Sequence, residues 1–349
     1  MKIGTIAENQ IEQNLLDEGL LPTPLLDTQM AYTLARTVMV GTKLGVFEAL
    51  AQGALTSSKV AASCKTHPSA TKKLLNALVG AGYLSANGER YELAPVARKW
   101  LLKKSPQSLH DKMLFQLMEW DWVEHYEDFV RSGKPLTVHE TISDEEWGIY
   151  QRGMRSLAGT WVSEVAQVMP VPKGARDMLD IGGSHGYYSV ALCRCHPELR
   201  AVVLDLPEAV EQAAPILAEE GMGDRVVHRA GNVLSDDLGT EAWDLVLIAL
   251  LVHHFDDGTN RRLARRVARA LRPGGVFVIQ DVFRPRSPEE AGQLGALLDL
   301  YFAVTSKAGT WSVEEMADWQ READLVPQEP IRFLSAPGTG QQVAVKPAA

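Results

Sequence analysis

Two stretches of this chain carry residue types that could do chemistry together. The first is Leu179-Asp180-Ile181-Gly182-Gly183-Ser184-His185-Gly186, an apolar run that ends in glycines. Glycines after a strand permit a tight turn, and the helix that follows presents free backbone N–H groups to a ligand. Asp205, in Val202-Val203-Leu204-Asp205-Leu206-Pro207, lies about twenty residues further on, where a strand-end carboxylate can accept both hydroxyls of a ribose. The competing structural role for Asp205 is an N-cap on a helix opening at Pro207. Turn and acid together point to a nucleoside-type cofactor.

The second stretch is Leu251-Val252-His253-His254-Phe255-Asp256-Asp257. Adjacent histidines could be a metal site, a general base with a neighbour, or part of a loop. An imidazole of ordinary pKa, about 6.5, exchanges protons near neutral pH. Metal ligands usually converge from separated positions. Successive side chains at a strand end point to opposite faces, so only one of the two rings is expected to face a pocket. Asp256 and Asp257 read as the cap and first-turn acid of the following helix.

These residues need elements to position them. Strands are expected at 178–181, 201–205, 226–229, 244–249 and 275–281, with helices near 187–195, 208–220 and 261–271 between them. That alternation predicts an α/β fold with a parallel sheet covered on both faces. In such a sheet ligands bind outside the strand C-termini. The glycine turn, Asp205 and His253 all fall there.

Upstream, residues 23–105 show helical periodicity and then two short strand-like segments joined across Asn87-Gly88. This is a winged-helix layout. Its would-be recognition helix, Ser69 to Asn76, has only two lysines, and the chain carries a net charge of −9. Nucleic acid is therefore not an expected partner, and the module is expected to serve dimerisation. Residues 1–22 read as a loose arm, 106–170 as an aromatic-rich helical linker, and 171–349 as the catalytic domain. The three cysteines form no C-x-x-C pair, which argues against a disulfide framework or a structural zinc. The longest apolar runs are too short to span a membrane and no apolar signal core opens the chain, so a cytoplasmic setting is expected.

In order along the chain come D-I-G-G-S-H-G, L-D-L-P, A-G-N-V, H-H-F-D-D and L-R-P-G-G-V. The series resembles the S-adenosylmethionine-dependent small-molecule O-methyltransferases, in the subgroup of caffeic acid, hydroxyindole and bacterial polyketide O-methyltransferases. The resemblance runs from Leu34 to Leu325. It implies a Rossmann-like methyltransferase domain behind an N-terminal, mostly helical winged-helix dimerisation domain. It also implies a homodimer, S-adenosyl-L-methionine as cofactor, and a small phenolic, enolic or polyketide-type acceptor. Gly182, Gly183 and Gly186 would lie against the methionine part, Asp205 with Leu206 at the ribose, and Asn232 and Val233 beside adenine. His253 would be the general base, with Asp281 as its partner. Met154, Trp161, Tyr301, Phe302 and Trp311 would wall the acceptor, Met154 near the sulfonium.

The chain departs from that family's pattern at several positions. Asn232, His254 and Thr310 stand where relatives carry acids, Phe255 stands for Trp, and Ala249 for Lys or Arg. The loss of acids around the base leaves an alternative, C-methylation of an enolisable keto acid or similar activated carbon, with a metal near His253-His254 as one version.

Overall fold

The computed structural model describes residues 3–348, so the first two residues of the expected arm and Ala349 lie outside the described residues. Two compact units divide the chain, one up to Met118 and one from Glu119 onward. The helix His110–Val123 carries the division. The helical stretch expected at 106–170 is thus shared between the units.

In the first unit the arm forms a helix, Gln10–Asp17, that buries no side chain and is capped by Asn9. Helices Ala31–Lys43, Val46–Ala49, Ser57–Cys64 and Pro68–Gly80 follow. Three strands form a small sheet: β1 (Leu55–Thr56), β2 (Leu84–Asn87) and β3 (Arg90–Leu93), with β3 central. The β2–β3 hairpin closes through Gly88, whose φ of +58° selects glycine at the first turn position. Its core packs Val46, Phe47, Leu50, Val60, Leu75, Leu78 and Leu93. This is the winged-helix layout.

The second unit holds the large sheet. Its strands are β4 (Asp177–Ile181), β5 (Arg200–Asp205), β6 (Val226–Ala230), β7 (Trp243–Ala249), β8 (Leu271–Val282), β9 (Val326–Pro327), β10 (Ile331–Arg332) and β11 (Thr339–Val345). The order is β10-β11-β8-β7-β4-β5-β6, with β9 on β11. Pairs β7–β8, β4–β7, β4–β5 and β5–β6 are parallel, whereas β11 is antiparallel to β8. Period-two alternation sends Leu245, Leu247 and Ala249 into one core and Val246 and Ile248 into the other. Burial on both faces explains why β7 reads as a continuous apolar run. The chain leaves β4 toward β5 on one side and returns to β7 on the other, which opens a crevice at the strand C-termini. The α/β architecture is a Rossmann-like sheet of the methyltransferase kind.

Among the described residues, no helix is long and apolar enough to cross a membrane.

Candidate active site

A cavity of about 350 Å³ lies at the C-terminal ends of β4, β5 and β7, within the second unit. Gly182, Ser184, Asp205, Leu206, Asn232 and Val233 line one end. Gly182 has φ +64°, and a Cβ there would sit 2.7 Å from the Leu251 side chain. A Cβ on Gly183 would fall 2.5 Å from the carboxyl carbon of Asp180. Only glycine fits either place. Gly186, at φ +69°, opens the helix Tyr187–Cys195, and a Cβ there would sit 3.2 Å from the Val203 side chain.

Asp205 does not cap the helix Pro207–Glu219, whose N-cap is Leu206 with no side-chain bond. Its carboxylate instead accepts the Ser184 and Leu206 N–H groups, each at 2.8 Å, one on each oxygen. Burial nevertheless raises its pKa to about 6. Asn232 turns back on its own loop, where Oδ1 accepts the Leu234 N–H at 2.9 Å. The nearby acid is Asp236, which accepts the Asn232 N–H at 3.0 Å.

The other end of the cavity is built of rings. After β7 the chain passes through Leu250, a left-handed residue at φ +53°, into a tight turn, Val252–His254. His253 and Asp281 are both almost fully buried, 3 % and 2 % exposed. Nδ1 of His253 lies 3.0 and 3.1 Å from the two Asp281 oxygens. A carboxylate only accepts, so Nδ1 carries the hydrogen and Nε2 is left to take a proton. Phe302 packs on the His253 ring at 4.5 Å.

One ring of the pair faces the cavity, as the sequence predicts, but it is His254 that lines it and not His253. The two residues sit on a single 3₁₀ turn after the left-handed Leu250, and their ring centroids are 4.2 Å apart. Nε2 of His254 is 3.2 Å from Nε2 of His139. Burial lowers the His139 pKa to about 4 and pushes His254 well down, each with help from neighbouring imidazole. Both rings are therefore neutral at pH 7, one donating to the other. Among the described residues, no group of three His, Cys, Asp or Glu side chains is placed to hold a metal ion.

The five residues expected at the acceptor do not line the large cavity. Met154 and Trp161 line a smaller adjoining cavity of about 40 Å³, together with Gly182, Gly183 and His185. The Trp161 N–H is committed to the Tyr188 hydroxyl at 2.6 Å. The Tyr301 hydroxyl donates to Glu119 at 2.6 Å. Phe302 touches His253 instead. Trp311 requires the clearest correction: it donates to the Val252 carbonyl at 3.0 Å and packs on Trp319, bracing the histidine turn from behind. Thr310, where an acid is missing, hydrogen-bonds the Asp299 carboxylate.

Several cavity residues escaped the sequence reading: Thr137, His139, Trp147, Tyr150, Gln151 and Thr305 to Lys307. Trp147, Tyr150, Gln151 and Met154 share one face of the helix Asp144–Ala158, a spacing that could have flagged them. Nothing in the sequence marks His139.

A family model for the O-methyltransferase domain matches residues 116–321, and one for the O-methyltransferase dimerisation domain matches residues 26–103. The chain belongs to the O-methyltransferase family, whose members depend on S-adenosylmethionine. A 3-hydroxy-5-methyl-1-naphthoate 3-O-methyltransferase of Streptomyces sahachiroi is 26 % identical, covering 93 % of this chain and 95 % of its own. The N,N-dimethyltransferase OxyT of Streptomyces rimosus is also 26 % identical, over 93 % and 96 %. Among solved structures, human N-acetylserotonin methyltransferase in complex with SAM superposes with a TM-score of 0.82 at 19 % identity, covering 99 % and 100 %. That likeness confirms the fold.

Proposed function

We propose that this enzyme methylates the hydroxyl of a small aromatic or polyketide-type natural product, with His253 as general base. The observation that carries the reading is the buried His253–Asp281 pair beside a glycine-turn cavity at the sheet's switch point. S-adenosylmethionine, when bound, supplies an electrophilic methyl group on a sulfonium. The cavity fits such a molecule: its volume is in the small-ligand range, and it is lined by Gly182 with no side chain and by the Asp205 carboxylate. Each Asp205 oxygen retains a lone pair beyond its backbone bond. Gly182 and Gly183 would lie along the methionine part, with Gly186 behind them. Asp205 and Leu206 would hold the ribose, and Asn232 and Val233 the adenine.

The chain's own residues then do three things. They orient the acceptor, exclude water, and move one proton. Nε2 of His253 takes the hydroxyl proton, and Asp281 stabilises the resulting imidazolium through Nδ1–H. Phe302 holds the ring plane. A positioned base of this kind contributes roughly a hundred- to ten-thousand-fold. Met154, Trp161, Tyr301 and Phe302 then act around the base and the sulfonium end, and Trp311 acts only through the turn.

The first unit supports a homodimer, because it leaves Leu25, Met30, Tyr32 and Leu34 exposed on its N-terminal helices. Incubation with the methyl donor and a panel of phenols, enols and keto acids, read by mass spectrometry and NMR, tests the reading. O-methylated aromatic product is expected; exclusive carbon methylation would overturn it.

A further inference from the structure

Among the described residues lining the large cavity, His139 and Gln151 each bury a side-chain nitrogen with no partner, and of the two Gln151 lies beside the glycine turn. It is 1 % exposed, lies on the helix Asp144–Ala158 and lines the large cavity. Its carboxamide oxygen meets the Ser184 hydroxyl. Its Nε2 is buried with no hydrogen-bond partner. Buried amide groups are rarely left unpaired, because desolvation then goes uncompensated. A donor in this position is built for an acceptor that arrives with a ligand.

Ser184 is unusual in its own right. It sits in the glycine turn at φ +54°, a left-handed conformation that favours glycine. Its N–H is held by Asp205 at 2.8 Å and the Ser184 carbonyl lies 2.8 Å from Nε2 of His228. The backbone is thus fixed from both sides, and the side chain reaches Gln151. The turn accepts a strained serine, and what the serine does is orient the carboxamide.

We infer that Gln151 is a cofactor-binding residue whose Nε2 donates to the carboxylate of the methionine portion, with Ser184 as its positioning residue. The inference rests on the proposed cofactor reading of the cavity. The ribose hydroxyls are donors and find their acceptor in Asp205. The carboxylate needs donors near the glycine turn, and Lys307 is the only cationic side chain, lysine or arginine, along the described lining. Gln151 lies beside that turn with a free N–H. Ser184 can donate or accept, so the opposite amide orientation would present Oε1 to the ligand's ammonium instead; the test distinguishes the two.

Isothermal titration of the full-length protein with S-adenosylhomocysteine and with 5′-methylthioadenosine, which lacks the amino-acid portion, decides the matter. Gln151→Leu should weaken S-adenosylhomocysteine about tenfold or more, as loss of a hydrogen bond to a charged group does. It should leave methylthioadenosine within about twofold. Gln151→Glu should weaken S-adenosylhomocysteine further by like-charge repulsion, and Ser184→Gly about threefold without lowering the melting temperature. Equal weakening of both ligands, no weakening of either, or tighter binding by Gln151→Glu overturns the assignment. If Gln151→Leu does not fold, Gln151→Met carries the same comparison. Failure of the unmodified protein to bind either ligand would instead sink the cofactor reading.

Discussion

The glycine end and the histidine end of this cavity are built by opposite means. At the glycine end, polar groups are satisfied by backbone N–H groups from strand ends and tight turns, as Asp205 is by Ser184 and Leu206. At the histidine end, rings rest on rings: His139 contacts Trp147, Tyr150 and His254, and His253 contacts His254 and Phe302. Burial disfavours charge at both ends, so Asp180 and Asp205 titrate high and His139 and His254 low. Asp205 is raised to about 6, and His139 is lowered to about 4. The contrast is between directed hydrogen bonds to backbone at one end and a wall of packed rings at the other.

The largest effect should separate the two adjacent histidines. His253→Ala is expected to lower kcat roughly a hundred- to ten-thousand-fold while leaving S-adenosylhomocysteine affinity within a few-fold. His254→Phe, which keeps a ring in the wall, should cost less than about tenfold in kcat. Steady-state kinetics with a productive acceptor checks both. Equal losses would mean that the two rings work as one unit and the division is wrong.

The glycine end should show its own signature in stability against pH. Asp180 lies beneath Gly183 with one oxygen on Ser189 at 2.7 Å and the other unpaired. Burial raises its pKa from 3.8 to about 7. A carboxyl raised on folding contributes stability that is present below its unfolded pKa and is lost as pH rises through the folded value. The stability of the protein relative to Asp180→Asn should therefore fall between pH 5 and 8, by an amount on the order of 2 kcal/mol, and denaturant unfolding of both proteins across that range checks it. A constant difference would show that Asp180 does not titrate there.

Cofactor affinity should titrate at the same end. Hydroxyls donate to ionised Asp205, so binding weakens as pH falls through about 6. S-adenosylhomocysteine should bind about tenfold more weakly at pH 5 than at pH 7. His139, lowered to about 4, contributes nothing in that window. Asp205→Asn should abolish the pH dependence, and calorimetry at both pH values tests it.

The two ends also differ in how far the sequence discloses them. Gly182, Gly183 and Asp205 lie at the strand C-termini where their motifs place them, because a strand end and the turn after it are local structures. The His253–Asp281 pair was legible too, since parallel neighbours β7 and β8 carry both residues to the same sheet edge. That His254 and not His253 would line the cavity was not, because a left-handed Leu250 and a 3₁₀ turn replace strand geometry there. His139 comes from a short helix, Val138–Thr141, with no periodic pattern to place it. Met154, Trp161, Tyr301, Phe302 and Trp311 were expected around the acceptor, yet none lines the large cavity. Which cavity each would face depends on hydrogen bonds to residues such as Tyr188, Glu119 and Val252, distant in sequence.

The smallest effect probes that long-range support directly. The Val252 carbonyl receives three donors, the Trp311 N–H and the Asn260 side-chain amide, both at 3.0 Å, and the Phe255 N–H at 3.2 Å. Trp311→Phe keeps most of the bulk against Trp319 and removes one donor, while Asn260 keeps the carbonyl satisfied. The cost should be about 0.5–1 kcal/mol, a fall of a few degrees in melting temperature for a unit of this size. Because the lost bond holds the turn that carries His253, kcat should drop about two- to fivefold by the same conversion. The glycine end shares none of these contacts, so S-adenosylhomocysteine affinity should stay within about twofold. A matching loss of affinity would mean that the two ends are mechanically coupled through Leu250 and Leu251, which line the cavity between them.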